Sequence, residues 1–303
     1  MKPLVAIVGP TGCGKSDLAI RIAEAFGGEV VNCDSMQVYR HFNVGTAKLP
    51  PDRRRGVLHH LIDVVDPDEL FTAGDYCRTA RAALQSIRFP VVAGGTGLYL
   101  RALIEGLSEG PPRDENLRAS LSRRQARHPG SLHRLLNRFD PEAAARIHVN
   151  DVSKTMRALE TVLLARRPQS DLFKAGRDPL VGYKIVTIGL NPPRRDLYEN
   201  LNNRTRTMFE HGLIDEVRHI LALGFSPHSK PFEAIAYRQS ILHIAEKITM
   251  EEAIADTQME TRRYAKRQWT WFRKDRATVW FDGFGNSPEL QAKIIREISE
   301  RIG

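Results

Sequence analysis

The chain has 303 residues, 42% of them hydrophobic and 27% charged, an ordinary balance for a globular protein with one large core or a main domain and a smaller one. No apolar run approaches the roughly 20 residues that cross a bilayer, and no apolar stretch with a cleavage site follows Lys2, so neither a membrane span nor a secretory leader is expected. The net charge of +9 identifies no partner by itself, although clustered cations would favour a polyphosphate such as nucleic acid.

The run "LVAIV" reads as a buried strand, followed by the glycine-rich turn "GPTGCGKS" and a helix through "SDLAIRIAEAF" with Leu18, Ile22 and Phe26 on one face. "GGEVVNCD" reads as a turn and a second strand ending at Asp34, "HHLIDVVD" as a third strand, and "FPVVAGGTG" as a fourth ending in another glycine turn. Strands alternating with helical segments predict an α/β fold, a parallel, doubly wound sheet flanked by helices, with ligands at the carboxyl ends of the strands. Composition shifts near Ser108–Asn116, and from there to about Pro168 the pattern is helical and Arg-rich, with two helices joined at His148–Asp151. "GYKIVTIGL" returns to strand character, and the remainder reads as helical with apolar spacing at Leu197, Leu201 and Met208. The domains are therefore placed at 1–110 with 180–303 for the core and 111–179 for an all-helical insertion.

The spacing GxxxxGKS over Gly9, Pro10, Thr11, Gly12, Cys13, Gly14, Lys15 and Ser16 sets backbone N–H groups around an anion at a helix N-terminus. Lys15 would meet terminal phosphate oxygens and Ser16 would ligate Mg²⁺. On this motif alone the default ligand is ATP, and the default protein a kinase or NTPase. Thr11 adds a hydroxyl deep in the loop, within reach of a bridging oxygen of a diphosphate. Asp34, at a strand end beside the loop, suits Mg²⁺ binding or general-base work, and equally a cap on the segment that follows it. Ser35 and Gln37 carry hydrogen-bonding groups, and a glutamine can read an adenine edge. The second glycine turn, "VVAGGTGLY", places Thr96 at another strand end.

Cations concentrate between Arg113 and Arg138 and again in "RRYAKRQWTWFRKDR", where aromatic residues are interleaved, a distribution that favours nucleic acid. Trp269, Trp271 and Phe272 there suit core packing or base stacking. Cys13, Cys33 and Cys77 form no CxxC pair, and His59, His60 and His148 have no cysteine partners, so no zinc site is expected and the thiols suit a reducing, cytoplasmic setting.

Taken together, "GPTGCGKS", "NCDSMQVY", "VGTAK", "HHLIDV", "AGGTGLY", "HVNDVSKTMRALE", "LNNRTRTMFEHGLIDEV", "AIAYRQ" and "TRRYAKRQWTWFR" follow one another in an order that resembles the tRNA dimethylallyltransferases, also called tRNA isopentenyltransferases, of the bacterial type. The resemblance spans essentially the whole chain. It departs at Ala236, where the family usually has glycine, and at "ARRPQS" (Ala165 to Ser170), where it has "TG" after the helix.

The resemblance implies a P-loop NTPase-like core and transfer of a dimethylallyl group from its diphosphate to the exocyclic amine of the adenine just 3′ of a tRNA anticodon. Asp34 would then be the general base, with Thr11 and Arg204 acting on the departing diphosphate alongside Mg²⁺. Asp34, Ser35, Met36, Gln37 and Thr96 would line the pocket of the flipped-out base. Ser153, Lys154, Thr155, Met156 and Arg157, with the insertion, would grip the anticodon stem-loop, and Arg262, Arg263, Lys266 and Arg267 would hold phosphates. No obligate protein partner is implied, and a monomer is the simplest state. A small-molecule or nucleoside kinase and a nucleic-acid-binding NTPase are the other readings that the phosphate loop allows.

Overall fold

A computed structural model describes residues 1–174 and 176–303. Six strands, β1 (Lys2–Val8), β2 (Glu29–Asn32), β3 (His59–His60), β4 (Pro90–Ala93), β5 (Tyr183–Asn191) and β6 (Val279–Asp282), form one sheet in the order β3-β2-β4-β1-β5-β6, with every pairing parallel. β1 is central because Leu4 to Val8 are all buried, which a strand achieves only with neighbours on both edges and helices on both faces. Its register sets Val5 beside Val91 of β4 and Val186 of β5. The helices of this part are α1 (Lys15–Phe26), α2 (Ala73–Ser86) and α3 (Gly97–Glu105) before the insertion. Leu18, Ala19, Ile22 and Ala23 of α1 pack on the sheet at the spacing that its sequence shows.

The insertion is all-helical: α4 (Glu115–Arg127), α5 (Ser131–Phe139), α6 (Pro141–Arg146), α7 (Val152–Ala165) and α8 (Gln169–Lys174). After β5 follow α9 (Arg194–Glu210), α10 (Leu213–Ala222), α11 (Tyr237–Ile244), the long α12 (Met250–Phe272) and, after β6, α13 (Pro288–Ile302). The chain separates into two compact units, Met1–Ile104 with Val181–Gly303, and Glu105–Leu180. Among the described residues no helix is long and apolar enough to cross a membrane.

Two readings of the sequence are corrected. "HHLIDVVD" is not a full strand: only His59 and His60 pair with β2. Leu61 (φ 60°) and Asp63 (φ 56°) then turn into the left-handed region, held there by Asn32 Nδ2 donating to the Leu61 carbonyl at 2.9 Å and by Lys48 Nζ donating to Asp63 at 2.6 Å. Beyond them an isolated bridge pairs Val65 with Tyr39, outside the six strands. The C-terminal part is also not wholly helical, since β6 adds an edge strand beside β5.

The Glu105–Leu180 unit has its own core of Leu121, Leu132, Leu136, Ala158 and Leu159. One buried carboxylate fixes its frame. Glu160 on α7 is fully buried and accepts from Arg118 Nε and Nη2, both at 2.8 Å, from Arg157 Nη1 at 2.7 Å and from the Asp114 N–H at 2.8 Å. Burial alone would raise the Glu160 carboxyl, but these donors outweigh it and hold it at about 2. Because the folded value is depressed, the stabilisation is complete above the unfolded range and is lost as pH falls through the folded value. Glu160→Ala is expected to destabilise this unit by roughly 1–3 kcal/mol, because it leaves the Asp114 N–H and the partly buried Arg118 guanidinium without their acceptor. Hydrogen exchange on the full chain would show it as faster exchange along α4 and α7 with β1 and β5 unchanged. In the wild type the same amides should lose protection as pH is lowered from about 4.5 towards about 2.

Candidate active site

The carboxyl ends of β1, β2 and β4 each break into a turn on the same edge of the sheet, and these turns carry the candidate chemistry. After β1 the phosphate loop runs from Gly9 to Ser16. The Cys13 carbonyl accepts from Gly285 N–H at 2.8 Å, so the segment after β6 braces the loop from behind. Lys15 lies back along the loop, its Nζ donating to the carbonyls of Pro10 at 2.7 Å and Gly9 at 3.1 Å. Ser16 is exposed at the start of α1. Cys13 is buried, and burial pushes its thiol up, so it is an inert packing group rather than a nucleophile.

Thr11 is the most connected residue of the loop. Its N–H donates to Gln268 Oε1 at 2.7 Å, and its hydroxyl accepts from Arg204 Nη2 at 3.0 Å. Burial pulls the Arg204 guanidinium down from its ordinary value while the charge of Asp34 opposes the shift; arginine remains a cation throughout. Asp34 Oδ1 accepts from the Met36 N–H at 2.9 Å and so holds its own turn. Its other carboxylate oxygen has no hydrogen-bond partner among the described residues. No helix follows Asp34, so the capping alternative reduces to this single turn bond.

The turn after β4 is pressed against that of Asp34. A Cβ on Gly94 would lie 2.1 Å from the Cys33 carbonyl oxygen, so nothing larger than glycine allows the two backbones to meet. Thr96 Oγ1 accepts from the Ser35 N–H at 2.9 Å and reaches the Ser35 hydroxyl at 3.2 Å. Gln37 donates to the Thr46 carbonyl at 3.2 Å.

Two cavities open onto this junction. One, about 370 Å³, is bounded by Gly12, Gly14, Lys15, Ser16, Asn32 and Gln37, a polar lining of loop atoms. The other, about 340 Å³, is bounded by Met36, Met208, Ile235, Tyr237 and Tyr264 and also by Glu233, Thr257, Thr261 and Arg267, a mixed lining with more apolar than polar surface. Thr11, Asp34, Thr46 and Arg204 border both. A phosphate cradle thus adjoins an apolar chamber, with a carboxylate, a hydroxyl and a guanidinium where they meet. This arrangement suits a reaction in which an anionic group leaves on one side and a proton is accepted at Asp34.

The structure brings Thr11, Asp34, Ser35, Met36, Gln37, Thr96 and Arg204 to one place, together with Arg267, which borders the apolar chamber. Other candidates are differently employed. Arg262 donates to Asn202 Oδ1 at 2.5 Å, Arg263 pairs with Glu260 at 2.8 Å, and Lys266 lines a separate cleft of about 620 Å³ with Arg194, Trp269 and Arg273. Trp271 packs under Arg101, 5.1 Å from guanidinium carbon to ring centroid. Ser153, Lys154, Thr155, Met156 and Arg157 lie on α7 in the Glu105–Leu180 unit; Ser153 and Lys154 are exposed, Thr155 is buried, and Arg157 is tied to Glu160 and to the Pro111 carbonyl.

Four residues were not anticipated as parts of the site. Thr46 stands in "VGTAK", a block noticed only for its order. Its loop is held by Glu216, whose carboxylate accepts from the N–H groups of Asn43 at 2.9 Å and Val44 at 2.8 Å and from the Tyr237 hydroxyl at 2.6 Å. Tyr264 and Gln268 sit four positions apart on α12, inside a run that draws the eye to its arginines. Their signal was present: Thr257, Thr261, Ala265, Gln268 and Phe272 are all buried, so this helix has polar groups along its inward stripe.

Both departures from the family pattern fall at left-handed backbone. Ala236, bordering the apolar chamber, has φ 77°, and Arg166, which follows α7, has φ 54°. These are positions where glycine is the unstrained choice. Ala236→Gly is expected to relieve backbone strain of about 1 kcal/mol, offset in part by the greater freedom of the unfolded chain. Thermal melting should show an unchanged or slightly raised midpoint, where an ordinary buried Ala→Gly change would lower it.

A family model described as IPP transferase matches residues 37–275, and one described as isopentenyl transferase matches residues 2–57. A tRNA dimethylallyltransferase of Solibacter usitatus is 55% identical over 99% of both chains. The full-length tRNA isopentenylpyrophosphate transferase of Bacillus halodurans superposes with a TM-score of 0.74 at 36% identity, covering 100% of this chain and 97% of its own. A eukaryotic dimethylallyltransferase acting on tRNA superposes with a TM-score of 0.81 at 26% identity, covering 93% of this chain and 74% of its own. With the motifs of the core meeting at one junction, a family model matching residues 37–275 and a relative 55% identical over 99% of both chains, the chain belongs to the IPP transferase family, the tRNA dimethylallyltransferases.

Proposed function

We propose that the protein transfers the dimethylallyl group of dimethylallyl diphosphate to the exocyclic amine of the adenine 3′-adjacent to a tRNA anticodon, releasing diphosphate. The observation that carries this reading is the shared border of the two cavities at Thr11, Asp34, Thr46 and Arg204. The diphosphate occupies the loop side and the flipped base approaches Asp34 with Ser35, Met36 and Thr96 around it. An aromatic amine is a weak nucleophile because its lone pair is delocalised into the ring. Asp34 removes its proton as the N–C bond forms and the bond from carbon to the bridging diphosphate oxygen breaks. Arg204, the Thr11 hydroxyl, the loop N–H groups and Lys15 stabilise the charge on the departing diphosphate. Lys15 must first release the carbonyls of Gly9 and Pro10.

The donor set suits Mg²⁺. Among the described residues no group of three or more His, Cys, Asp or Glu forms a metal cage. Ser16 instead presents one hydroxyl beside Asp17 and Asp34 in the loop-side cavity, which fits a hard cation held largely by substrate oxygens and water. Bound there, Mg²⁺ would supply positive charge against the leaving diphosphate. Exposed Ser153 and Lys154, with Arg267 and Lys266, are suited to RNA phosphates, and Thr155, Met156 and Arg157 to shaping the surface that grips the anticodon stem-loop. The enzyme acts as a cytoplasmic monomer with tRNA as its large partner.

Incubation with Mg²⁺, radiolabelled dimethylallyl diphosphate and an anticodon stem-loop should place label in the RNA without ATP. Phosphate moving from ATP to a small molecule, with no label in RNA, would favour a kinase and sink the proposal. Asp34→Ala should lower single-turnover transfer by roughly 10²–10⁴-fold with RNA affinity nearly unchanged. Arg204→Leu should cost roughly 10²–10³-fold through its effect on the leaving group.

A further inference from the structure

We infer that Gln268 is a positioning residue for this chemistry, setting the Thr11 hydroxyl on the leaving-group side against the Asp34 turn on the base side. The inference rests on the transfer reaction proposed above. A phosphate loop ordinarily turns its N–H groups toward the anion. The Thr11 N–H is an exception, because it donates to Gln268 Oε1 at 2.7 Å. That bond fixes the plane of the Pro10–Thr11 peptide and leaves the Thr11 side chain facing Arg204, which donates to its hydroxyl at 3.0 Å.

The other end of the same amide reaches the opposite wall. Gln268 Nε2 donates to the Gly95 carbonyl at 2.9 Å, next to Thr96, whose hydroxyl accepts from Ser35 N–H. The amide orientation follows from its partners, since a backbone N–H can only donate and a carbonyl can only accept. The approach is close: a Cβ on Gly95 would lie 2.2 Å from Nε2. Gln268 is buried within α12, the helix whose length anchors it. Tyr264, one turn earlier, lies against the same turn, its hydroxyl 3.7 Å from where a Cβ on Gly95 would stand, and burial pushes its phenol well up. A single rigid side chain thus spans two loops that have no covalent reason to keep a constant separation.

A glutamine that merely satisfied itself in the core would affect stability alone. One that places Thr11 must act through it. Gln268→Met keeps the length and removes both hydrogen bonds. Amide exchange by NMR should show the Thr11 N–H protected in the wild type and unprotected in Gln268→Met. In single-turnover transfer, Gln268→Met should lose on the order of 10²-fold in rate, while KM for the stem-loop stays within about 2-fold and the fold persists by circular dichroism. Because both changes disable the same hydroxyl, Gln268→Met combined with Thr11→Val should be little worse than the poorer single variant. Rate losses that multiply in the double variant would overturn the inference. So would an unprotected Thr11 amide in the wild type, a result that reads out whether or not the protein transfers a prenyl group. A wild type that transfers none would instead overturn the proposed function, and the Thr11 amide would still decide whether the contact exists.

Discussion

The close approach of three backbone turns at the carboxyl edge of the sheet is the constraint on which the site depends. β4 lies between β1 and β2, so its turn starts about 5 Å from each of theirs in the hydrogen-bonding direction. Gly94 and Cys33 are in backbone contact, and Gly95 lies under the Gln268 amide. A parallel sheet supplies this proximity without long-range design, because every strand delivers its carboxyl end to the same side. Catalytic geometry here is therefore built from main-chain packing first, with side chains added at fixed distances.

The segments far along the chain serve that edge. Arg204 on α9 reaches Thr11 across 193 positions of sequence, Gln268 across 257, and Gly285 braces Cys13 from beyond β6. Glu216 on α10 holds the Asn43–Thr46 loop by taking successive N–H groups as an anion would. The phosphate loop, read alone, is a local device, yet its orientation is decided by residues from the last third of the chain. The Glu105–Leu180 unit is organised differently, around the buried carboxylate of Glu160 and a core of leucines and alanines.

Much of this was legible in the sequence because the signals were local. Strand runs, the glycine spacing and the N-terminal part of the Asp34 segment each carry their chemistry within a few residues. What stayed hidden was of two kinds. The third strand ended early because Leu61 and Asp63 take left-handed backbone, which apolar patterning does not report. β6 was missed because a strand of four residues after a helix of 23 has little pattern of its own and exists only through pairing with β5. In the site, Thr11 stood out as a hydroxyl among the glycines of the loop and Asp34 as a carboxylate at a strand end. Gln268 did not, since a neutral residue among arginines shows its role only when the helix face is known.

The phosphate loop also changes meaning through its neighbours. In a phosphoryl-transfer enzyme the loop grips the group in motion, and the acceptor must lie beyond the terminal phosphate. Here the space beyond the Thr11 hydroxyl is the apolar chamber bounded by Met36, Met208 and Ile235, and the carboxylate of Asp34 stands at its entrance. The apolar surface there suits a hydrocarbon attached through a bridging oxygen, while Arg204 on the shared border can meet the adjoining charge. The lysine that would cradle the phosphates is folded onto the loop carbonyls. Its charge is thereby available to an anionic group that displaces those contacts. Stabilising a leaving group, rather than handing over a phosphoryl, follows from what surrounds the loop and not from the loop itself.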